Sequence, residues 1–271
     1  MLNQINSPMS PDYVVWLGDC LIEMDNIPDG SIDMILCDPP YGTTACKWDV
    51  VIPFEPLWKQ YKRVIKKQGA VVLFGSEPFS SLLRLSNLEW FKYDWVWEKS
   101  QGHNFLQAKS MPLKVHEVMS IFSRGTINHL SDFFSRMIYY PVMEQGEPYR
   151  KVDRVTAAVG VLNSATLKSG FVKENNGSRY PRSVIHLHNT QQGSLHPTQK
   201  PVTLLSYLIK TYTNEGETVL DNTMGSGSTG EACLRTNRRF IGIEKDAHYF
   251  NVAQQRLERV AAELSGQFNH S

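Results

Sequence analysis

Short apolar runs alternate along the chain with amphipathic stretches, and this alternation predicts the secondary structure. SIDMILC (31–37) and AVVLFGS (70–76) are almost wholly apolar, which is typical of strands buried on both faces. FEPLWKQYKRVIKK (54–67) and AHYFNVAQQRLERVAAELS (247–265) repeat apolar residues at helical spacing. Because strands alternate with helices, we expect an α/β domain whose mostly parallel sheet is covered by helices on both faces.

The alternating pattern breaks after residue 124 and returns near His196. The stretch between is irregular and rich in Ser, Asn and Gly, and so long a loop inside a domain is usually functional. We therefore expect a first part of the domain over 1–124, an insertion over 125–195 and a second part over 196–271. Basic and aromatic residues that suit contact with nucleic acid interleave in the insertion. They are Arg136, Arg150, Lys151, Arg154, Lys168, Lys173, Arg179, Arg182, Tyr139, Tyr140, Tyr149 and Tyr180.

Length, charge and cysteine content narrow the class of protein only slightly. A chain of 271 residues suits one large α/β domain with an insertion, or two small domains. The formal net charge of +1 neither supports nor excludes a nucleic-acid partner. The four cysteines do not have zinc-site spacing, so no metal is expected. The first residues do not resemble a signal segment and no apolar run has membrane-helix length, so we expect a cytoplasmic protein with reduced thiols and no membrane contact.

A glycine-rich turn from Asp221 to Gly230 follows a buried strand and opens a helix. Glycine lets the backbone approach a ligand closely. Glu244 ends the next strand, where an acid accepts hydrogen bonds from ribose hydroxyls, so the sequence predicts a nucleoside-containing cofactor. The spacing also fits G-x-G-x-x-G, which leaves a dinucleotide and a ligand-free turn as alternatives. Asp221 would repel a pyrophosphate and favours a cationic cofactor such as S-adenosylmethionine.

The Asp38-Pro39-Pro40-Tyr41 element follows a predicted parallel strand, where active sites of α/β sheets collect. The exocyclic amine of adenine or cytosine is a poor nucleophile, because its lone pair is delocalised into the ring. A carboxylate and rigidly directed proline carbonyls suit the gripping of its N–H groups, and a tyrosine ring offers a stacking face. The alternative is a plain turn after a strand. The glycine-rich turn and Glu244 in the same chain favour amine binding.

Together with three further motifs, these segments resemble the β-group of S-adenosylmethionine-dependent DNA amino-methyltransferases. The resemblance covers roughly Val14 to Asn251. Its motifs are GDC (18–20), DPPY (38–41), HPTQKP (196–201), GSGST (225–229) and FIGIE (240–244). It implies a Rossmann-like methyltransferase fold, with a mostly parallel seven-stranded sheet and a reversed edge hairpin. The motif order is permuted, since the catalytic element precedes the cofactor turn, and the loop-rich insertion becomes a target-recognition region.

The resemblance also implies roles for the matching residues. Asp38, Pro39, Pro40 and Tyr41 form the catalytic element that grips the target amine. The cofactor residues are Asp19, Cys20, Lys200, Asp221, Asn222, Met224, Gly225, Ser226, Gly227, Ser228 and Glu244. Asp19 and Cys20 match contacts to the cofactor adenine, Lys200 matches a position near the methionine moiety, and Glu244 matches the ribose ligand. The family often has Asp-Pro-Phe where this chain has Asp221-Asn222-Thr223, so an aromatic contact is not expected there.

These residues predict methyl transfer from S-adenosylmethionine to the N6 amino group of a flipped adenine in a specific sequence of double-stranded DNA. Asp at the first position of the catalytic element is more typical of adenine-modifying members, whereas cytosine-N4 members often carry Ser. The alternatives are a cytosine-N4 enzyme, a methyltransferase of RNA or protein glutamine, and an inactive DNA-binding partner subunit. A nicotinamide oxidoreductase is a weaker alternative. The resemblance further implies restriction–modification and a homodimer.

Overall fold

The structure is a computed structural model that describes residues 12–43, 49–152, 172–187 and 199–267. A mixed sheet of eight strands lies at its centre, and four further strands form two separate pairs. The strands are β1 (Tyr13–Leu17), β2 (Ile32–Cys37), β3 (Ile65–Gly75), β4 (Phe91–His103), β5 (Lys114–Phe122), β6 (Glu144–Gln145), β7 (Tyr149–Val152), β8 (Val172–Asn175), β9 (Ser178–Arg179), β10 (Val184–His186), β11 (Thr218–Asp221) and β12 (Arg239–Glu244). The helices are α1 (Cys20–Glu23), α2 (Phe54–Val64), α3 (Phe79–Leu85), α4 (Val202–Tyr212), α5 (Ser228–Leu234) and α6 (Ala247–Gln267).

The strand order of the central sheet is β1-β12-β11-β2-β3-β5-β4-β10. Neighbours are parallel from β1 through β3. β5 is antiparallel to both β3 and β4, which gives the predicted reversed hairpin, and β10 is parallel to β4. β2 and β11 are adjacent, with Met34 beside Val219 and Ile35 beside Leu220. The segments that follow these two strands therefore leave the sheet side by side.

Helices cover both faces of the sheet. Alternate side chains of β2 point to opposite faces, as the pleat of a strand requires. Met34 and Leu36 pack with α4, α5 and α6, whereas Ile35 and Cys37 pack with α1, α2 and α3. Burial on both sides explains why this strand is almost wholly apolar. The predicted fold class is confirmed.

Two details of the sheet differ from the prediction. The helix that begins at Phe54 ends at Val64 rather than at Lys67, because Ile65 already pairs with Ile32 and begins β3. β10 pairs with β4 and adds one strand to the seven that were expected. A strand of three residues has no periodicity long enough to be read from sequence.

The chain divides into two compact units, of which the smaller is Pro141–Arg182. It lies inside the predicted insertion, 125–195. Both ends of the predicted insertion belong to the larger unit, which also includes the residues up to Tyr140 and those from Ser183 onward. Near the first end, the N–H of Ile138 donates to the carbonyl oxygen of Gln68 at 3.0 Å. The function of the insertion stays a prediction.

The smaller unit contains two antiparallel strand pairs, β6 with β9 and β7 with β8. The guanidinium of Arg179 lies 4.8 Å from the ring centre of Tyr149, and Arg150 pairs with a glutamate of β8. Of the basic residues predicted to contact DNA, Arg154 and Lys168 lie outside the described residues. The sequence did not predict these strands, because each has only two to four residues, too few to show a period-two pattern.

The described cysteines, Cys20, Cys37 and Cys233, have free thiols, and Cys46 lies outside the described residues. Within the described ranges, no group of three or more His, Cys, Asp or Glu side chains could hold a metal ion. In that same part of the chain, no helix combines the length and apolar character needed to cross a membrane.

Candidate active site

A cavity of about 970 Å³ opens at the carboxyl ends of β2, β11 and β12. Its position follows from the topology, since parallel strands deliver the residues after them to one edge of the sheet. All but one of the residues predicted for catalysis or cofactor binding line it. They are Asp19, Cys20, Asp38, Pro39, Pro40, Tyr41, Lys200, Asp221, Asn222, Met224, Gly225, Ser226, Ser228 and Glu244. The exception, Gly227, packs against Ala253 of α6, so its contact with a cofactor stays a prediction.

Asp38 lies at the centre of a hydrogen-bond network directly after β2. Its Oδ1 accepts from the hydroxyl of Tyr41 at 2.5 Å, and its Oδ2 accepts from Nζ of Lys200 at 2.5 Å. Its carbonyl oxygen accepts from the hydroxyl of Thr223 at 3.1 Å. Burial raises the pKa of the Asp38 carboxyl, and the charge of Lys200 opposes that rise while the charge of Glu117 adds to it. Thr223, where the family often has Phe, thus ties the catalytic element to the cofactor turn.

One face of the Tyr41 ring packs against another aromatic ring. Phe79 of α3 stacks on it, with ring centres 5.0 Å apart and 29° between the planes. A base would therefore have to stack on the opposite face of Tyr41. Burial, together with the charge of Asp38, raises the pKa of the Tyr41 phenol well above its usual range, so the hydroxyl remains a donor to Asp38. Asp49, which the sequence interpretation missed, accepts the N–H groups of the two residues after Tyr41 at 2.8 and 2.9 Å.

Lys200 lies between two carboxylates. Besides Asp38 it contacts Glu117 of β5 at 3.2 Å, and Glu117 forms a second ion pair with Lys99 of β4. Although burial acts the other way, the two lysines lower the pKa of Glu117 to about 2. Burial acts to lower the pKa of Lys200, but the charges of Asp38 and Glu117 outweigh it and raise that pKa. The result is a row of alternating charges, and the sequence interpretation gave Glu117 and Lys99 no role in it.

The glycine-rich turn after β11 is anchored to the end of β12. Gly225 has a φ of 51°, in the left-handed region that side chains rarely adopt. Its N–H donates to Oε2 of Glu244 at 2.9 Å, and Oε1 of Glu244 accepts from the N–H of Asp246 at 2.8 Å. Burial raises the pKa of Glu244 and these backbone N–H groups oppose the rise. Since a carboxylate offers about four acceptor positions, Glu244 retains capacity for ribose hydroxyls.

Protein contacts fix other predicted residues in the cavity wall. The hydroxyl of Tyr61 donates to Oδ1 of Asn222 at 2.6 Å. Asp19 accepts the N–H of Leu21 at 3.0 Å, which caps α1, and its other oxygen pairs with Lys245 at 3.0 Å. These contacts hold Asn222 and Asp19 at the cavity in defined orientations.

Arg256 of α6 stabilises the turn from the side of the helices, and the sequence interpretation missed it. Its Nη1 donates to the carbonyl oxygen of Ser226 at 3.3 Å and to the hydroxyl of Ser228 at 3.0 Å. Its Nε pairs with Glu231 at 2.6 Å. A buried arginine with this many partners is a rigid support, because its planar guanidinium fixes several acceptors at once.

Asp221 ends β11 beneath the turn and is buried. Its Oδ2 accepts from the hydroxyl of Thr229 at 2.6 Å, and its Oδ1 accepts from the N–H of Thr223 at 3.1 Å. Burial raises the pKa of Asp221 to about 7; the two hydrogen bonds oppose the rise, and the charges of Asp38 and Glu244 reinforce it. A cation in the cavity would favour its ionised form.

The raised pKa of Asp221 predicts a pH-dependent stability of the cofactor-free protein. A carboxyl whose folded pKa exceeds its unfolded value gives stability that is present below about pH 4 and lost as the pH rises through about 7. Asp221→Asn should remove this loss. At about pH 8 its free energy of unfolding should exceed that of the wild type by up to roughly 4 kcal/mol, since each pH unit between the two pKa values is worth about 1.4 kcal/mol.

Urea unfolding at about pH 5 and about pH 8 measures this difference. Asp25→Asn, at an exposed aspartate outside the cavity lining, is the control and should follow the wild type at both pH values. A variant at Asp221 whose stability kept the wild-type pH dependence would contradict the assignment of the pKa near 7.

The fold and the cavity define a class of protein. A parallel sheet brings a glycine-rich turn, the acid after the next strand and an Asp-Pro-Pro-Tyr element into one cavity, which suits group transfer from a nucleoside cofactor to an amine. Residues 32–255 match the DNA methylase family. The chain belongs to this family, and it is a DNA methyltransferase that depends on S-adenosylmethionine.

Relatives and solved structures agree with this membership. The chain is 30% identical over 265 residues to the DNA adenine methyltransferase YhdJ of Escherichia coli (strain K12), covering 92% of this chain and 84% of that protein. It is 26% identical over 277 residues to the type II methyltransferase M.HinfI of Haemophilus influenzae, covering 90% of this chain and 67% of that protein. The crystal structure of the M1.HpyAVI–SAM complex matches with a TM-score of 0.59 at 22% identity, over 90% of this chain and 98% of that one. This structural likeness concerns the fold.

Proposed function

We propose that the protein methylates the N6 amino group of adenine in double-stranded DNA. Asp38 at the first position of the catalytic element favours adenine over cytosine within the family. The likeness to YhdJ, whose name describes a DNA adenine methyltransferase, points the same way. Recognition of the target sequence is assigned to the insertion around Pro141–Arg182, whose basic and aromatic side chains suit contact with DNA.

The observation that carries the proposal is the meeting of the catalytic element and the cofactor turn in one cavity. The hydroxyl of Thr223 joins them by donating to the carbonyl oxygen of Asp38 at 3.1 Å. The strands that precede them, β2 and β11, are adjacent and parallel, about 4.8 Å apart. A base held after β2 and a methyl donor held after β11 are thus fixed next to each other, which is what an in-line displacement requires.

The cavity fits S-adenosylmethionine in size and charge. Its volume of about 970 Å³ is large enough for a cofactor and a base. More acidic than basic side chains line it, which suits a cofactor that bears a sulfonium and an ammonium group. When bound, the cofactor supplies a methyl carbon activated by the sulfonium. Glu244 would accept its ribose hydroxyls, Asp19 and Cys20 would flank its adenine, and the turn at Gly225 would lie beneath its methionine part.

Asp38 and Pro39 are assigned to the amine of the target base. One oxygen of Asp38 and the carbonyl oxygen of Pro39 accept its two N–H groups and orient the nitrogen lone pair away from the ring plane. The nitrogen gains positive charge as it bonds to the methyl carbon and the methyl–sulfur bond breaks. The carboxylate of Asp38 stabilises that charge until the nitrogen releases a proton to solvent. Lys200 and Tyr41 hold the carboxylate in place from its two sides. The base stacks on the face of Tyr41 that Phe79 leaves free.

Incubation of the protein with unmethylated DNA and isotopically labelled S-adenosylmethionine, followed by mass spectrometry of the nucleosides, tests the proposal. N6-methyladenine is the expected product, and sequencing of the modified positions would give the target site. N4-methylcytosine as the product would overturn the assignment of the base. Labelled RNA or protein in place of DNA would overturn the assignment of the substrate.

Glu244→Ala is expected to weaken S-adenosylmethionine binding by roughly ten- to a hundredfold, because hydrogen bonds to a charged acceptor contribute about 1.5–3 kcal/mol. The loss has two sources, since Glu244 would both bind the ribose and hold the N–H of Gly225. Titration calorimetry measures the affinity directly.

Two further variants separate these sources. Glu244→Gln keeps an acceptor for Gly225 and should lose less affinity than Glu244→Ala. Glu258→Ala, at an exposed glutamate of α6 outside the cavity lining, should bind like the wild type. Wild-type affinity in Glu244→Ala would refute the ribose role.

A further inference from the structure

The hairpin between β4 and β5 has an exposed apolar tip that the proposed function does not use. We call residues 104–113 the hairpin tip. Leu106 is fully exposed, at 103% of its reference area, and Phe105 and Met111 are 68% and 49% exposed. Large apolar side chains exposed side by side are unfavourable in water, and such patches mark interaction sites.

Hydrogen bonds within the hairpin tip give it a defined shape. Phe105–Gln107 form a 3-10 turn, whose last carbonyl oxygen accepts two backbone N–H groups at 2.9 and 3.0 Å. Asn104 has a left-handed conformation, with a φ of 60°, and its Oδ1 accepts the N–H of Lys114 at 2.8 Å. These bonds close the tip across the hairpin. The exposed side chains are therefore presented by an ordered support.

The hairpin tip lies beside the cavity that contains Asp38. Lys99 and Lys114 flank it on the two strands, and both line the cavity. Nζ of Lys114 also bonds to Ser76, directly after the carboxyl end of β3. From Lys99 to His116 the sequence contains no acidic residue. Lys109 lies within the tip and is exposed, so the tip combines apolar groups with positive charge, which complements the phosphates of DNA.

We propose that the hairpin tip inserts Leu106, with Phe105 beside it, into the base stack of the DNA where the flipped base leaves a gap. Proteins that unstack DNA use apolar wedges, among them Phe, Leu and Met. Enzymes that flip a base must overcome the cost of unstacking it. Insertion buries the exposed side chains and prevents the base from returning to the stack. This inference rests on the proposed function, because it requires a base extruded from duplex DNA.

Leu106→Ala is tested against Leu88→Ala in the full chain. Leu88 is 61% exposed, but it precedes β4 and so lies at the end of that strand opposite the hairpin tip. Target sites are first mapped on unmethylated plasmid DNA treated with the wild type. Methylation rates are then measured on a duplex oligonucleotide with one mapped site. The target base is either correctly paired or placed opposite a mismatch, where extrusion costs less.

Leu106→Ala should methylate the paired duplex roughly tenfold more slowly than the wild type and recover most of that loss on the mismatched duplex. Leu88→Ala should match the wild type on both. Equal rates for the two variants on the paired duplex would overturn the proposal. A loss that the mismatch does not recover would overturn it too, and would indicate simple affinity for DNA. The nucleoside that the wild type forms reports separately on the proposed function.

Fluorescence supplies a second readout of the same step. A 2-aminopurine at the target position brightens when it leaves the stack, so the wild type and Leu88→Ala should raise its emission. Leu106→Ala should raise it much less at saturating protein. A full rise with Leu106→Ala would show that the base stays extruded without the leucine, which contradicts a wedge.

Discussion

Asp38→Ala is expected to abolish methyl transfer while S-adenosylmethionine still binds. Loss of the carboxylate removes both the grip on the amine and the charge that stabilises its transition state. We expect the rate to fall by roughly a thousandfold or more, equivalent to about 4 kcal/mol. The cofactor site should persist, because the turn at Gly225 is held by Glu244 and the buried Arg256 supports the two serines beside it.

Single-turnover methylation and calorimetry of cofactor binding together check this expectation. Asp38→Asn is the informative companion, since its amide oxygen can still accept from the amine but leaves Lys200 with Glu117 as its charged partner. It should retain more activity than Asp38→Ala and less than the wild type. A wild-type rate in Asp38→Ala would refute the catalytic assignment, and loss of cofactor binding would instead indicate damage to the fold.

Glu117→Gln should also slow methyl transfer strongly, although Glu117 is assigned to the positioning of Lys200 and Asp38 and not to contact with the amine. The glutamate separates the charges of Lys200 and Lys99, and its removal leaves a buried and a partly buried ammonium group with one carboxylate, Asp38. A buried charge that loses its partner is costly, so Lys200 should move and Asp38 with it. We expect kcat to fall by roughly ten- to a hundredfold, with little change in the KM for the cofactor.

The pH profile distinguishes this positioning role from general damage. The charge of Glu117 raises the pKa of Asp38, so its removal should lower that pKa and move the acid limb of the kcat profile to lower pH. Glu98→Gln is a matched control, because Glu98 lies on β4 next to Lys99 and outside the cavity lining. A reduced kcat with an unmoved acid limb would mean that Glu117 only supports the structure.

Local sequence patterns were sufficient to predict the fold and the two main segments that line the cavity, the Asp38-Pro39-Pro40-Tyr41 element and the glycine-rich turn. SIDMILC is apolar because both faces of β2 are covered, and the glycine-rich turn is recognisable because Gly225 needs a left-handed backbone. Such features depend on neighbours in the chain. They can therefore be read without knowing which distant segments meet.

The supporting residues depend on distant partners, and for this reason they were missed. Glu117 is one of four polar positions in β5, and its role becomes apparent only when Lys200 is brought to it from much later in the chain. Arg256 looks like a surface residue of an amphipathic helix until the turn at Ser226 folds against it. No local pattern within β5 distinguishes Glu117 from the other polar residues of that strand.

The order of strands in the sheet also constrains how the chain can fold during synthesis. β2, β3, β4 and β5 are neighbours that lie within the first half of the chain and can pair early. β1 pairs with β12 instead, and β12 ends at Glu244. Because a ribosome synthesises the chain from its N-terminus, β1 must wait for β12 before the two strands can pair. The cofactor-binding half of the sheet therefore forms only after β12 has been synthesised, and a chain truncated before β12 would keep β1 without this neighbour.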